Sequence, residues 1–196
     1  MFQLGYFRQS TGLTRVNYRD MGAEELGSVY ESLLELVPDY QHLSQPHAAR
    51  LAFVGADDEA SNKGNDRKLT GSYYTPDSLV QELIKSALEP VIAQTVQANP
   101  GNPVNALLDL TVCDPACGSG HFLLAAARRL ADEVAKLRAA AVGGAPTPSD
   151  YRHALRDVVS HCIYGVDKNP MAIALAKTAL WLEAYTPDRP LTFIDH

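Results

Sequence analysis

The segment Asp114-Pro115-Ala116-Cys117-Gly118-Ser119-Gly120 constrains this chain more than any other. It separates a short apolar run, Ala106 to Cys113, from a stretch in which Phe122, Ala126, Leu130, Val134 and Leu137 fall on one helical face. A run of that length suits a buried strand. The glycines allow a tight turn whose backbone can approach a ligand closely, because glycine has no Cβ. The pattern then recurs. Cys162 to Val166 reads as a second strand, Asp167-Lys168-Asn169-Pro170 as a turn with Asn169 as helix cap, and Met171 to Tyr185 as a largely apolar helix. Leu191 to Ile194 reads as a third strand, and Tyr151 to Val159 as a further helix after the loop Gly143 to Pro148. Strand, helix, strand, helix, strand implies an α/β chain with a parallel sheet and right-handed crossovers.

Upstream, Leu26, Val29, Leu33 and Val37 recur at helical spacing, with Glu24 and Glu25 in the first turn and Pro38 closing the helix. Residues 1–20 carry no assignable pattern. Residues 56–68 hold acids, amides and lysines without a large apolar side chain, which reads as a solvated loop. After Tyr73-Tyr74, Thr75 suits an N-cap and Pro76 the first helical position. Leu79, Leu83, Ala87 and Val91 form the expected buried stripe, with Pro90 as a kink or end. Asn99 to Asn105 is a turn-rich break. The chain thus divides into a helical lead-in segment (1–55), a loop (56–68) and the α/β part (69–196). Because it stops two residues after the expected third strand, it is expected to be cut from a longer protein.

Apolar residues make up 46% of the 196, which excludes a disordered tail, and no stretch is long enough to span a membrane. Three cysteines without secretory features point to reduced thiols in a cytosol. The net charge of −6 means that any nucleic-acid contact rests on a local patch or on parts beyond these residues.

In an open parallel sheet, ligands bind at the carboxyl ends of the strands. Asp114, Asp167 and Asp195 all stand there. No Lys or Arg occurs from Ser86 to Ala127, so the lysine of a nucleotide-triphosphate loop is missing. Leu123 stands where a dinucleotide fingerprint would place its third glycine. An acid at Asp114 repels a pyrophosphate and attracts an ammonium or sulfonium cation. The ligand suggested is an adenosine with a cationic amino-acid tail, which describes S-adenosyl-L-methionine.

The run Asp114 to Leu123 resembles the first cofactor motif of N6-adenine DNA methyltransferases. Tyr74-Thr75-Pro76 is similar to the motif that precedes it in the gamma-ordered members, and Gly165 to Pro170 resembles the second motif. The Leu26–Leu36 stretch resembles the lead-in helix of large restriction–modification and phage-exclusion methylases. The resemblance implies a Rossmann-like S-adenosylmethionine-dependent methyltransferase fold with a partial sheet, and DNA and restriction or defence subunits as partners. It also implies residue roles. Tyr74, Thr75 and Pro76 contact the methionine end. Asp114 bonds its ammonium, and the backbone from Ala116 through Cys117 and Gly118 to Gly120 wraps the ligand. Phe122 packs near it. Asp167 takes the two ribose hydroxyls, Lys168 covers the adenine or ribose side, and Asp195 accepts from the adenine amine. The family's catalytic Asn/Asp-Pro-Pro-aromatic motif does not occur in these residues. The chain alone is therefore expected to bind cofactor at best. The first motif also fits methylases of RNA or protein, and the missing catalytic motif leaves room for a non-catalytic assembly module.

The plainer readings concern single residues. Cys113, Cys117 and His121 have the side chains of a zinc site, but they fall on strand, turn and helix in succession, so their side chains diverge. Trp181, on a helix apolar nearly all round, reads as core. Strands expected beyond the chain would cover its surroundings, so exposed apolar surface is expected there.

Overall fold

The computed structural model describes residues 6–9, 12–15, 27, 29, 37–41, 50–54 and 75–187. The expected third strand, the 56–68 loop, Tyr73, Tyr74 and Asp195 lie outside the described residues.

The lead-in segment holds more than a helix. Gly27 and Val29 are helical, but strands β1 (Tyr6–Gln9) and β2 (Gly12–Arg15) pair antiparallel from Tyr6↔Arg15 to Gln9↔Gly12. β3 (Val37–Gln41) and β4 (Arg50–Val54) pair likewise from Val37↔Val54 to Gln41↔Arg50. Val37 and Pro38, expected to end a helix, therefore open a strand. Proline tolerates the start of a strand, where its missing N–H breaks no interior ladder.

The next helix begins one residue later than expected. Pro76 is the residue before it, with no side-chain cap, and Asp77 opens α1 (Asp77–Leu83). A π-helical stretch, Ile84–Leu88, leads on into α2 (Glu89–Ala98). Pro90 therefore neither kinks nor ends the run. It sits in the first turn of α2, directly after the widened turn. The wider turn makes room for the proline ring and its missing N–H. The buried residues here are Val80, Ile84 and Ile92, one position round from the expected stripe, while Leu79, Leu83 and Val91 are exposed. Both stripes are apolar, and the shift is the same before and after the widened turn.

Another correction falls at Ala106–Leu108, which is helical rather than extended. Asn102 and Pro103 start a short helix, α3 (Pro103–Leu108), that buries Leu107. Only Val112–Asp114 forms strand β5. The chain then turns through the glycines into α4 (His121–Ala141), followed by α5 (Pro148–His161), β6 (Ile163–Gly165) and α6 (Pro170–Ala184). β5 and β6 are parallel, with Val112↔Ile163, Cys113↔Tyr164 and Asp114↔Gly165 in register. The chain is thus α/β, with a small parallel sheet among the described residues and helices on either side of it in sequence.

Two helix starts carry side-chain caps. Thr147 and Asp150 form a reciprocal capping box on α5, and Asn169 Oδ1 accepts from the Met171 amide at 3.0 Å to cap α6. α4 and α5 supply most of the core: Leu123, Leu124, Leu130 and Val134 meet Leu155, Val158 and Cys162. Burying a side chain of this kind contributes about 1.5–3 kcal/mol each. α6 turns its small residues inward, Ala172, Ala176, Ala179 and Ala184, with Leu180. That close approach leaves the bulky residues outside. Trp181 is 44% exposed and packs on Tyr185, with ring centroids 5.4 Å apart, so it is not core. Met171, Leu182 and Val166 are exposed too, which is the apolar surface expected there. Among the described residues no helix is long and apolar enough to cross a membrane.

Candidate cofactor site

Two carboxylates converge on one turn. β5 delivers Asp114, whose Oδ1 accepts from the Ala116 amide at 3.0 Å, while its backbone carbonyl accepts from Val166 N–H at 2.9 Å. β6 leads to Asp167. Its Oδ2 accepts from the Gly118 amide at 2.9 Å and its Oδ1 from the Asn169 amide at 2.8 Å. The turn after one strand is thus held by the acid after the other. Cys117 N–H bonds Val166 O at 3.0 Å, and Gly120 N–H bonds Cys117 O at 2.8 Å, which closes the turn onto α4.

The glycines have different jobs. Gly118 (φ +53°) and Gly120 (φ +88°) both lie in the left-handed region. A Cβ on Gly120 would stand 3.0 Å from Ala176 Cβ, so Gly120 lets α6 approach. A Cβ on Gly118 would meet nothing within 4 Å. That open side of the turn is where a ligand can lie against backbone.

The Cys117 thiol is buried beneath the turn. It is pushed up to about 11, first by burial and then by the negative charges of Asp114 and Asp167. It is therefore protonated at neutral pH and is no nucleophile. Its Sγ would lie 3.1 Å from a Cβ on Gly165, so this cysteine fills the space that glycine leaves in β6.

Phe122, half-buried on the first turn of α4, lies with Asp114 in the wall of a cleft of about 480 Å³. Leu83, Ala87 and Val91, residues expected in the core, line it as well. Asp167 and Lys168 are not among its walls, and Lys168 is exposed. The structure therefore joins Asp114 to Phe122 across one side of the turn, and Asp114 to Asp167 through the turn backbone.

Thr75 is half-buried and Pro76 exposed at the head of α1. Asp77, immediately after them, reaches His121 at the head of α4, with Oδ1 3.6 Å from Nε2. The contact lies where the Thr75-Pro76 end of α1 meets the head of α4. Neither partner stands out in the sequence for this role: His121 reads there as part of the Asp114–Leu123 motif and as a possible metal ligand. Among the described residues no group of three or more His, Cys, Asp or Glu is arranged to hold a metal. Gly27 was missed as well. It is buried, and its backbone lies against Ser119.

The arrangement offers two acids and a helix N-terminus around an open stretch of backbone. That donor set suits a ligand with a cationic amino acid and vicinal hydroxyls.

The N-6 DNA Methylase family matches residues 59–188 of the chain. A Methanocaldococcus jannaschii protein named as a type II restriction enzyme and methyltransferase is 23% identical over 193 residues, which cover 83% of this chain and 14% of that protein. The adenine-specific methyltransferase PglX of Streptomyces coelicolor is 28% identical over 118 residues, 60% of this chain and 8% of PglX. The chain thus spans a small fraction of either relative. No solved structure matches it.

Proposed function

The chain belongs to the N-6 DNA methylase family, and from that premise we propose that it is the S-adenosylmethionine-binding part of a DNA methyltransferase acting on the N6 amine of adenine. The fold proposed for it is the Rossmann-like one, with β5 and β6 as the first two strands of a larger sheet. One observation carries the reading: Asp114 and Asp167, at the ends of two parallel strands, both fold onto a glycine turn whose Gly118 side is open.

The residues present suit the cofactor. Asp114 Oδ1 is engaged by the Ala116 amide, which leaves Oδ2 for an ammonium. Each oxygen of Asp167 accepts one backbone amide and retains a lone pair for a ribose hydroxyl. When bound, S-adenosylmethionine supplies an electrophilic methyl on a sulfonium. The work of this chain is to orient that group. Asp114 holds the amino-acid end, the backbone from Ala116 to Gly120 wraps it, Phe122 packs beside the cofactor, and Thr75 and Pro76, at the end of α1 next to the head of α4, approach it. Tyr74, Lys168 and Asp195 are proposed as further contacts. Because the adenine amine is a weak nucleophile, such positioning accounts for much of the rate. A flipped base must be held by a motif that these 196 residues do not contain, so methylation is a property proposed for the whole protein. DNA is its proposed substrate, restriction or defence subunits its proposed partners, and the cytosol its proposed compartment.

Calorimetry with S-adenosylmethionine tests the cofactor reading. The chain should bind, and Asp114→Ala should weaken binding about 10- to 100-fold, the range for a hydrogen bond to a charged group. A folded chain that shows no binding at millimolar ligand would overturn it. Tritium transfer by the whole protein to DNA, rather than to RNA or protein, tests the substrate.

A further inference from the structure

We propose that Gly27 is a positioning residue for cofactor binding, seating the N-terminal segment directly on the crown of the glycine turn; the cofactor part of this inference rests on the function proposed above. Gly27 is buried and helical, more than ninety residues before the turn in sequence. A Cβ on Gly27 would fall 2.2 Å from Ser119 Oγ and 2.8 Å from Ser119 Cβ. Rotating the Ser119 hydroxyl away relieves the first clash. It does nothing for the second, because Cβ is fixed to the backbone. Any side chain at position 27 therefore displaces the backbone of the turn or of the N-terminal segment.

The turn is gripped on two sides by contacts that only small residues permit. Gly120 meets Ala176 of α6, and Ser119 meets Gly27. Gly118, just before them, keeps its open side. The turn has two residues at positive φ, and its amide bonds, Asp167 at Gly118 among them, hold it from the sheet side. The seat at Gly27 adds a restraint from the N-terminal part of the chain. On helix propensity alone, alanine would be favoured over glycine at a helical position. The contact reverses that sign.

The test is a double-mutant cycle on the 196-residue chain, using Gly27→Ala with and without Ser119→Gly. Calorimetry with S-adenosylmethionine reads the function, and hydrogen exchange of the Gly118 and Gly120 amides in the ligand-free protein reads the turn. Gly27→Ala should weaken binding by about tenfold or more, as expected when a binding backbone is displaced, and should speed exchange at both amides. In the Ser119→Gly background, which removes both clashing atoms, Gly27→Ala should have little further effect on either readout. A Gly27→Ala chain that fails to fold, and folds again with Ser119→Gly, supports the contact equally. Equal binding and exchange in wild type and Gly27→Ala, or a penalty that persists unchanged in the Ser119→Gly background, would overturn the proposal. A wild-type chain that binds no S-adenosylmethionine would instead overturn the cofactor reading, and the exchange data alone would then decide whether Gly27 seats the turn.

Discussion

Asp167 Oδ2 accepts the Gly118 amide at 2.9 Å, across 49 residues of sequence. This carboxylate is therefore part of the turn's structure as well as a proposed ligand contact. The two duties predict a graded response. Asp167→Asn keeps one oxygen acceptor but loses the charge, and Asp167→Ala loses both. Calorimetry should find affinity for S-adenosylmethionine reduced about tenfold in the first and at least about 100-fold in the second, since hydrogen bonds to charged groups contribute about 1.5–3 kcal/mol. Exchange at the Gly118 amide should rise in both variants without ligand.

The two positive-φ glycines should fail differently. Gly118→Ala forces a Cβ into the left-handed region, at a cost of about 1–2 kcal/mol, and places it on the open side of the turn. It should lower binding while leaving the chain folded. Gly120→Ala carries the same backbone cost and also presses on Ala176. Its main effect should be a lower melting temperature, partly restored by Ala176→Gly. Thermal melts and calorimetry on the same samples separate the two outcomes.

The contrast between these glycines also marks how far the sequence could be read. The turn, both acids at strand ends and the Asn169 cap were legible because each depends on residues adjacent in the chain. Local rules were less able to place α3. Ala106–Leu108 has the apolarity of a strand, and the Asn102-Pro103 start three residues earlier decides for helix. The stripe on α1 and α2 was misplaced by one position because apolar residues lie on two neighbouring faces, one for the core and one for the cleft. Trp181 was read as core because the helix is apolar all round, yet alanines win the inner face where α6 must come close to Gly120. The Gly27–Ser119 and Asp77–His121 contacts are tertiary, and no local pattern announces them.

A bidentate ion pair ties α2 to α4: Arg129 Nε meets Glu89 Oε1 at 2.6 Å and Nη2 meets Oε2 at 3.0 Å, with Glu133 as a second acceptor at 3.0 Å. The Arg129 hydrogen bond holds the Glu89 carboxyl below its ordinary value. A carboxylate lowered in the folded state adds stability above its unfolded pKa of about 4.5, and that stability fades as pH falls through the lower folded value. Arg129→Met should lower stability at pH 7 by about 1 kcal/mol or less, given the exposure of Glu89, and should flatten the loss on acidification below pH 4.5. Urea melts of both proteins at pH 7 and pH 3.5 would read the difference.

The three thiols should separate by environment. Cys113 is exposed, whereas Cys117 and Cys162 are buried. Burial is the main cause raising each buried thiol to about 11; Asp114 and Asp167 add to the effect at Cys117, and Asp109 at Cys162. At pH 8, iodoacetamide should label Cys113 within minutes and leave the other two until the chain is unfolded, as mass spectrometry of the digest would show. The same shift makes stability depend on alkaline pH. Between about 9, the unfolded thiol value, and about 11, the unfolded chain loses these protons while the folded chain keeps them. Fewer protons on the unfolded state means that stability falls as pH rises through that window. Cys117→Ala and Cys162→Ala should each remove part of the slope, at the cost of a small cavity. Urea melts from pH 8 to pH 11 would overturn this account if the double variant lost stability as steeply as wild type.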